Sequence, residues 1–201
     1  LTVIDDLLIE LPETVTITLS APVNGVLGGS SSTTVTIVDN EPVPVAEFST
    51  ATLTTSEAGP QAVLIVTLSA PSTLDVTIGA SVAGTATNGN DYSIAGQPIL
   101  IPAGSTSASI VITPIDDLLD ETDETVVVTL ETPNQAVLGT SVTGTVTITD
   151  DELPPSVSFA SVASSTTEGA AAAGATLVLS APSGQDITLP FISVGSATPA
   201  D

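Results

Sequence analysis

The 201-residue chain contains no lysine, arginine or histidine, and its 23 aspartate and glutamate residues give a formal net charge of −23. A nucleic-acid binder grips the phosphate backbone with Lys and Arg, so this class of function is excluded. The lack of cationic side chains also argues against attraction to an anionic membrane surface. Whatever neutralises the carboxylates must therefore come from the solvent and not from the chain.

The chain also lacks cysteine, so neither disulfide bonds nor thiolate metal sites can form. Aromatic side chains are nearly absent, with three phenylalanines and one tyrosine, so the core must consist of Val, Ile, Leu and Ala. No apolar run reaches about 18 residues, the length that spans a membrane as a helix, and we expect no membrane insertion in this segment. Abundant Thr, Ser, Val, Gly and Pro predict an all-β fold.

An internal repeat organises the chain. Residues 4–8, Ile-Asp-Asp-Leu-Leu, recur at 115–119, and the later matches keep this offset of 111 residues. Prolines within 42–44 and at 154–155 separate one set of predicted strands from the next and form short, stiff linkers. We therefore expect a window on a longer tandem array. Its predicted parts are the C-terminal part of one repeat (1–41), a complete repeat (42–152) and the N-terminal part of a third (153–201).

Alternating apolar and polar residues within the complete repeat predict β-strands. In residues 141–150, Val, Gly, Val and Ile alternate with threonines that suit the solvated face of an antiparallel sheet. About seven strands with Gly-, Pro- and Asn-containing turns between them predict a two-sheet sandwich with Greek-key connections. The predicted strands are 45–49, 61–69, 76–82, 99–101, 107–113, 124–131 and 141–150.

Acidic residues concentrate at predicted strand ends and recur at matching positions of the repeat. In the complete repeat they are Glu57, Asp91, Asp116, Asp117, Glu121, Glu124, Asp150, Asp151 and Glu152. The first repeat contributes Asp5, Asp6, Glu10, Glu13, Asp39 and Glu41, and the third contributes Glu168 and, after a one-residue shortening, Asp201. Two further acids, Asp120 and Asp123, align with Ile9 and Pro12 and are interpreted as solvated residues outside this set.

Loops at one end of a sandwich can bring these carboxylates together, although they lie far apart in sequence. Converged carboxylates without a cation repel one another and raise each other's pKa values. Ca²⁺ takes roughly six to eight oxygen ligands in flexible geometry and removes this repulsion. Zinc and copper favour nitrogen or sulfur ligands, and magnesium demands near-octahedral, water-rich coordination. We therefore predict bound Ca²⁺; the alternative is that the acids only cap turns.

Motifs in a consistent order along the chain resemble the Calx-beta domain family. They are Glu57 in the first strand region, Gly-Thr-Ala-x-x-Gly-x-Asp-Tyr at 84–92, Ile-Asp-Asp with spaced glutamates at 115–124, Leu-Gly at 138–139 and Thr-Val-Thr-Ile-x-Asp-Asp-Glu at 145–152. The resemblance covers the complete repeat and both partial ones. It implies tandem immunoglobulin-like Greek-key sandwiches of seven strands, each with a calcium cluster near the junction with the next domain. In that pattern the recurring acids correspond to ligand positions, and Asn40 departs from it where an acid is expected.

The sequence favours a non-catalytic function. Glycosidases use paired carboxylates, but this chain has no His, Cys, Lys or Arg to orient a substrate, and the same acids recur in each repeat. We expect a calcium-stiffened structural or adhesive module of a secreted, surface-attached bacterial protein. Its partners would be the neighbouring repeats, because the ligand candidates lie beside the proline linkers and bound ions would turn a flexible string into an extracellular rod or fibre.

Two alternatives stay open at this point. Partial repeats expose strand edges, so a filament could assemble when the front part of a repeat from one chain completes the back part from another copy. The regulatory use of the Calx-beta family in ion exchangers implies, as the second alternative, an intracellular calcium sensor. Concentration-dependent fibres would favour the filament, and a full-length sequence would identify the sensor.

Overall fold

The computed structural model describes residues 1–167 and 174–195 of the chain. The regular secondary structure in these residues is all β-strand, which confirms the predicted all-β class, and no helix among them is long and apolar enough to cross a membrane. The strands are β1 (Glu13–Thr18), β2 (Ser32–Ile37), β3 (Val45–Phe48), β4 (Thr52–Ser56), β5 (Ala62–Leu68), β6 (Val76–Ile78), β7 (Ala80–Gly84), β8 (Tyr92–Ala95), β9 (Ile99–Ile101), β10 (Ser107–Pro114), β11 (Glu124–Leu130), β12 (Val137–Leu138), β13 (Thr143–Thr149), β14 (Val157–Phe159) and β15 (Leu177–Leu179).

The complete repeat is a sandwich of two sheets. One sheet has the strand order β12-β3-β5-β10-β8, and the other has the order β4-β13-β11-β7. Neighbouring strands are antiparallel, except that β12 runs parallel to β3 and β13 runs parallel to β4. A separate antiparallel pair is formed by β6 and β9. Side chains from both sheets share one hydrophobic core, as in other face-to-face sandwiches.

The first strand region of the repeat is divided between the two sheets. β3 pairs with β5 in one sheet, and after residues 49–51 the chain continues as β4 in the other sheet. β4 and β13 are joined by five residue pairs, from Thr52 with Thr145 to Ser56 with Thr149. The N-terminal segment of the repeat therefore contributes to both layers of the sandwich.

Strand alternation places one face of each central strand in the core. Leu64 of β5 and Val146 of β13 are fully buried, and a Cβ added to Gly144 would lie 3.0 Å from Leu64 Cδ1, so the two sheets pack closely here. Burial of each Val, Leu or Ile side chain contributes about 1.5–3 kcal/mol to the free energy of folding. The core therefore stabilises the strands from which the acidic loops extend. The buried apolar residues are Ala46, Phe48, Ala62, Leu64, Val66, Leu68, Val76, Ile78, Tyr92, Ile99, Ile101, Ile110, Ile112, Val126, Val128, Leu130, Ala136, Val146 and Ile148.

The alternation pattern does not predict three of the strands, β4, β8 and β12. They are two to five residues long and show no regular exchange of apolar and polar residues. The predicted strand 76–82 is wrong as a single element, because β6 pairs with β9 while β7 pairs with β11. The break falls at Gly79, where an added Cβ would collide with the Glu131 carboxylate.

The partial repeats reproduce the hairpins of the complete one. β1 and β2 pair Glu13 with Ile37, in the register that pairs Glu124 with Ile148 in β11 and β13. β14 and β15 likewise match β3 and β5. Phe159 is 59% exposed, whereas its counterpart Phe48 is 3% exposed, because residues 153–167 and 174–195 contain no counterpart of β10, β11 or β13 to cover that face.

Candidate metal centre

Strand register brings acidic residues to one end of the sandwich. Ser56 pairs with Thr149 where the parallel strands β4 and β13 both end. Glu57 and the acidic segment 150–152, which follow these strands, therefore emerge side by side. Glu124 begins β11, which runs antiparallel to β13, and so its side chain lies at the same end.

The loop after β10 joins this group through a second pair of strand ends. Tyr92 at the start of β8 pairs with Pro114 at the end of β10. The Ile115 amide donates a hydrogen bond to the Asp91 carbonyl at 2.9 Å. Asp91 therefore lies beside the acid-rich loop between β10 and β11, although it is more than twenty residues earlier in the chain.

The first carboxylate cluster consists of Glu57, Asp151 and Glu152. One carboxylate oxygen from each residue lies within 4.8 Å of the other two. Glu57 is only 7% exposed. The Oε2 atoms of Glu57 and Glu152 are buried and have no hydrogen-bond partner among the described residues. Two buried oxygens without a donor are unfavourable unless a cation or an ordered water meets them.

The second carboxylate cluster consists of Asp91, Glu121 and Glu124, all half-buried. One carboxylate oxygen from each residue again lies within 4.8 Å of the other two. The Glu121 amide donates to Asp150 Oδ1 at 3.0 Å. The backbone of the second cluster is therefore hydrogen-bonded to the segment that carries the first.

Asp116, Asp117 and Asp150 belong to neither close group. Asp116 and Asp117 are exposed, and Asp117 Oδ1 accepts a hydrogen bond from the Leu119 amide at 2.6 Å. Their charges still act on the clusters, since Asp117 and Asp150 raise the pKa of Glu57. The structure thus places these three residues around the clusters and not within them.

Burial and like charges make the clustered glutamates weak acids in the metal-free protein. Burial, followed by the charges of Asp150 and Asp117, raises the pKa of Glu57 to about 7. Burial, followed by a hydrogen bond with Asp91, raises the pKa of Glu124 to about 7. A bound divalent cation would reverse both effects, because it favours the ionised carboxylate.

The donor set fits a hard cation. Both clusters offer carboxylate oxygens, and the sequence has no His or Cys that could add nitrogen or sulfur ligands. Ca²⁺ binds such oxygen sets and tolerates irregular geometry, whereas zinc and copper select other ligands. The unpartnered Oε2 atoms of Glu57 and Glu152 are acceptors that an ion of this kind would satisfy.

Gly84 positions the loop that delivers Asp91. Its φ angle is +127°, and an added Cβ would collide with the Thr125 carbonyl oxygen of β11. The close approach lets Thr85 and Ala86 both donate backbone hydrogen bonds to that oxygen, at 3.0 and 3.1 Å. The Gly-Thr-Ala motif therefore begins a fixed loop that ends at Asp91.

Gly84→Ala is expected to lower the free energy of unfolding of the complete repeat by about 2 kcal/mol, because it adds a backbone collision to an unfavourable φ. Calcium affinity should fall as well, since Asp91 would move with the loop. Urea unfolding and calcium titration measure the two effects. Gly89→Ala is the matched control: its φ is +94°, but nothing lies within 4 Å of the added Cβ, so about 1 kcal/mol is expected. Equal losses in both variants would contradict this explanation.

The predicted ligands of the first repeat line a single cleft: Asp5, Asp6, Glu10, Glu13, Asp39 and Glu41. Partial loss of solvent, and then the charge of Asp6, raises the pKa of Glu10. Within residues 1–167 and 174–195 these six acids form no group as close as the two clusters. Asn40 stands at the counterpart of Asp151, and residues 1–41 include no counterpart of Glu57 or Asp91. Glu168 and Asp201 lie outside the described residues.

The interpretation of Asp120 as a solvated residue was wrong. Asp120 is 6% exposed, and its Oδ2 accepts a hydrogen bond from Ser183 Oγ at 2.7 Å. Asp123 is exposed, as expected. The alignment held a usable signal, because the counterpart of Asp120 is the apolar Ile9, which indicates a covered position.

The fold and the site together define a β-sandwich repeat whose end loops form a carboxylate-only candidate metal centre. The Calx-beta domain matches the chain over residues 1–41 and 39–152. These matches cover more than half of the sequence, and the chain belongs to the Calx-beta family, whose domains are calcium-binding modules.

Solved structures with Calx in their names are among those similar to this chain. The crystal structure of CBD12 from CALX1.2 is 25% identical, over 54% of this chain and 44% of that chain, with a TM-score of 0.47. The apo-form Calx CBD1 domain is 24% identical, over 55% and 100%, with a TM-score of 0.48. The calcium binding domain CBD12 of CALX1.1 is 23% identical, over 53% and 44%, with a TM-score of 0.45. The chain thus spans 44% of the length of either CBD12 structure. A comparison with curated proteins gives no match.

Proposed function

We propose that the chain is a calcium-binding structural segment of a tandem-repeat protein, in which ions at the repeat junctions stiffen an extracellular rod. The observation that supports calcium most directly is that the Oε2 atoms of Glu57 and Glu152 are buried and unpartnered. These residues belong to the first cluster, in which one carboxylate oxygen of each lies within 4.8 Å of one from Asp151. Bound Ca²⁺ would be the positively charged partner of these carboxylate oxygens.

The position of the first cluster supports a role at the junction. Asp151 and Glu152 immediately precede Leu153, Pro154 and Pro155, which lead into the third repeat. An ion held by Glu57 would fix the direction in which the chain leaves β13 and enters this stiff linker. Calcium would therefore restrict the angle between two successive repeats.

The proposed location is the outside of a bacterial cell, in a secreted or surface-attached protein with an adhesive or structural role. A rod that bound ions keep stiff needs calcium to be present at all times. Affinities in the millimolar range are typical of extracellular calcium modules. A cysteine-free chain is compatible with a bacterial exterior that does without disulfides. No catalytic role is proposed, because ion binding accounts for the clustered carboxylates.

Filament formation by strand complementation is the alternative. In it, the front part of a repeat from one chain completes the back part of a repeat from another copy through exposed strand edges. Fibres that form in a concentration-dependent way would support the filament, and their absence would favour the rod.

The test is small-angle scattering of the full chain with calcium and after chelation, together with titration calorimetry. Calcium should bind and lengthen the particle, because the junctions stiffen. Asp151→Asn reproduces the residue present at Asn40 and should weaken both responses. Asp123→Asn removes the same charge at an exposed position and should leave both intact. Identical scattering with and without calcium in a chain that binds it would refute the rod, and absence of binding would refute the calcium site.

A further inference from the structure

Two contacts between successive repeats occupy the same position of the repeat. Ile9 forms an isolated parallel bridge with Ser72, and Asp120 forms one with Ser183. Both residues of the second bridge lie 111 positions after their counterparts. In each case the loop after the Asp-Asp pair of one repeat meets the turn after the Leu-Ser-Ala-Pro segment of the next.

The backbone hydrogen bonds at the two junctions are equivalent. The Thr73 amide donates to the Ile9 carbonyl at 3.1 Å, and the Gly184 amide donates to the Asp120 carbonyl at 2.9 Å. We call residues 9–10 and 120–121 the docking loops, and residues 72–74 and 183–185 the docking turns. The same donor and acceptor positions are therefore used each time a docking loop meets a docking turn.

The docking turns have the same internal structure. Ser72 Oγ accepts a hydrogen bond from the Leu74 amide at 3.1 Å, and Ser183 Oγ accepts one from the Gln185 amide at 3.1 Å. Ser72 is 2% exposed. These bonds lie within each turn and fix its shape without any contact to a docking loop. The turn is therefore a preformed surface.

Side-chain chemistry differs between the junctions in a compensating way. At the first junction, Thr73 Oγ1 donates to the Ile9 carbonyl at 2.8 Å. At the second, the counterpart of Thr73 is Gly184, which has no hydroxyl, and Ser183 Oγ donates to Asp120 Oδ2 at 2.7 Å instead. One hydroxyl therefore reinforces each junction, and its partner at the second is a carboxylate, which forms the stronger type of hydrogen bond.

The second docking loop includes a member of a carboxylate cluster. Gln185 Nε2 donates to the Glu121 carbonyl at 3.1 Å. A Cβ added to Gly184 would lie 2.9 Å from Glu121 Oε1, so glycine permits the approach of the next repeat to this side chain. Glu121, a candidate calcium ligand, thus forms hydrogen bonds both within its own repeat and with the next repeat.

We propose that the docking loop of one repeat binds the docking turn of the next repeat without calcium, and that calcium strengthens this contact. The partner that the docking turn fits is the docking loop of the preceding repeat. The effect of calcium rests on the proposed function, because it requires an ion on Glu121; the contact itself requires none. Each repeat then has the same second point of attachment besides its proline linker.

The test is amide hydrogen exchange of the full chain, measured by NMR in calcium-free buffer. Thr73 and Gly184 should exchange at least about tenfold more slowly than free peptide amides. Asp120→Ala removes the carboxylate acceptor and should speed Gly184 exchange about tenfold without affecting Thr73 at the other junction. Asp123→Ala removes the same charge from an exposed position and should affect neither amide.

Free-peptide exchange of both amides, in a chain whose β13 amides are protected, overturns the docking contact. Equal acceleration of Gly184 by Asp120→Ala and Asp123→Ala also overturns it, because charge alone would then explain the effect. Added Ca²⁺ separates the two proposals. Unchanged Gly184 exchange in a chain that binds calcium refutes the coupling, whereas protected amides in a chain that binds no calcium refute the proposed function and support the contact.

Discussion

Calcium at about a hundred times its dissociation constant is expected to raise the free energy of unfolding by about 2.7 kcal/mol for each occupied site, and by about 5 kcal/mol for two. The physical reason is that the ion removes the repulsion within the two carboxylate clusters and satisfies the unpartnered oxygens of Glu57 and Glu152. Urea unfolding of the full chain, with calcium and with chelator, measures the difference. The transition of the complete repeat should move to a higher midpoint with an unchanged slope.

Magnesium at the same ionic strength is the matched control for this experiment. It screens surface charges as calcium does, but it gives up its water reluctantly and suits a site of this kind less well. A small magnesium shift with a large calcium shift is the expected result. Equal shifts with both salts would mean that screening, and not coordination, stabilises the chain.

Glu57→Gln is expected to stabilise the metal-free protein and to abolish about 2.7 kcal/mol of the stabilisation by calcium. Without metal, the carboxylate at position 57 is buried beside Asp150, Asp117 and Glu152, and the substitution removes its charge from this group. The new amide also adds hydrogen-bond donors to a cluster in which Glu152 Oε2 has no partner among the described residues. With calcium, a ligand of the first cluster is lost.

The pH dependence of the metal-free protein gives a second measure of the same substitution. Burial raises the pKa of Glu57 from 4.5 to about 7, so the folded state binds more protons than the unfolded state within this window. The stability from Glu57 is therefore present below about pH 4.5 and is lost as the pH rises through about 7. Glu57→Gln should reduce the loss between these limits, as measured by urea unfolding at a series of pH values.

Glu131→Gln is the control for this series. Glu131 is exposed and lies just after β11, at the opposite end of that strand from Glu124. The substitution removes the same charge without touching either cluster, so the calcium response and the pH profile should stay as in the parent chain. If Glu131→Gln and Glu57→Gln behave alike, net charge and not the cluster determines the stability.

The sequence predicts the sandwich and the type of ligand because both depend on repeated local patterns. Alternation identifies long strands such as β5 and β13, and the repeat offset singles out Glu57 and Glu124 among the acids. Short strands such as β4 are not predicted, because β4 forms through its pairing with β13 and its own composition does not indicate a strand. The prediction of calcium itself rests on oxygen-only chemistry, which needs no coordinates.

Membership of the two clusters could not be predicted in the same way. Periodicity identifies which acids recur, but the distances between carboxylates depend on how loops from separate strands converge. Asp151 and Glu152 therefore enter the first cluster while their neighbour Asp150 accepts a backbone hydrogen bond. The burial of Asp120 depends on the next repeat, which covers it through Ser183. That contact joins residues 63 positions apart, and its one sequence signal is the apolar counterpart of Asp120, Ile9.

The parallel pairing of β4 with β13 determines how the repeat resists tension. β4 lies near the start of the repeat and β13 near its end, and five residue pairs join them side by side in the same direction. A force that pulls the two ends of the repeat apart first loads β3, which precedes β4 and pairs with β5 and β12. Once β3 detaches, the force reaches β4 and drags it past β13 along their length. The hydrogen bonds between them are then loaded in shear and must break together, whereas an antiparallel terminal pair would open one bond at a time. An end-to-end force on the complete repeat would therefore meet the resistance of this strand pair in shear.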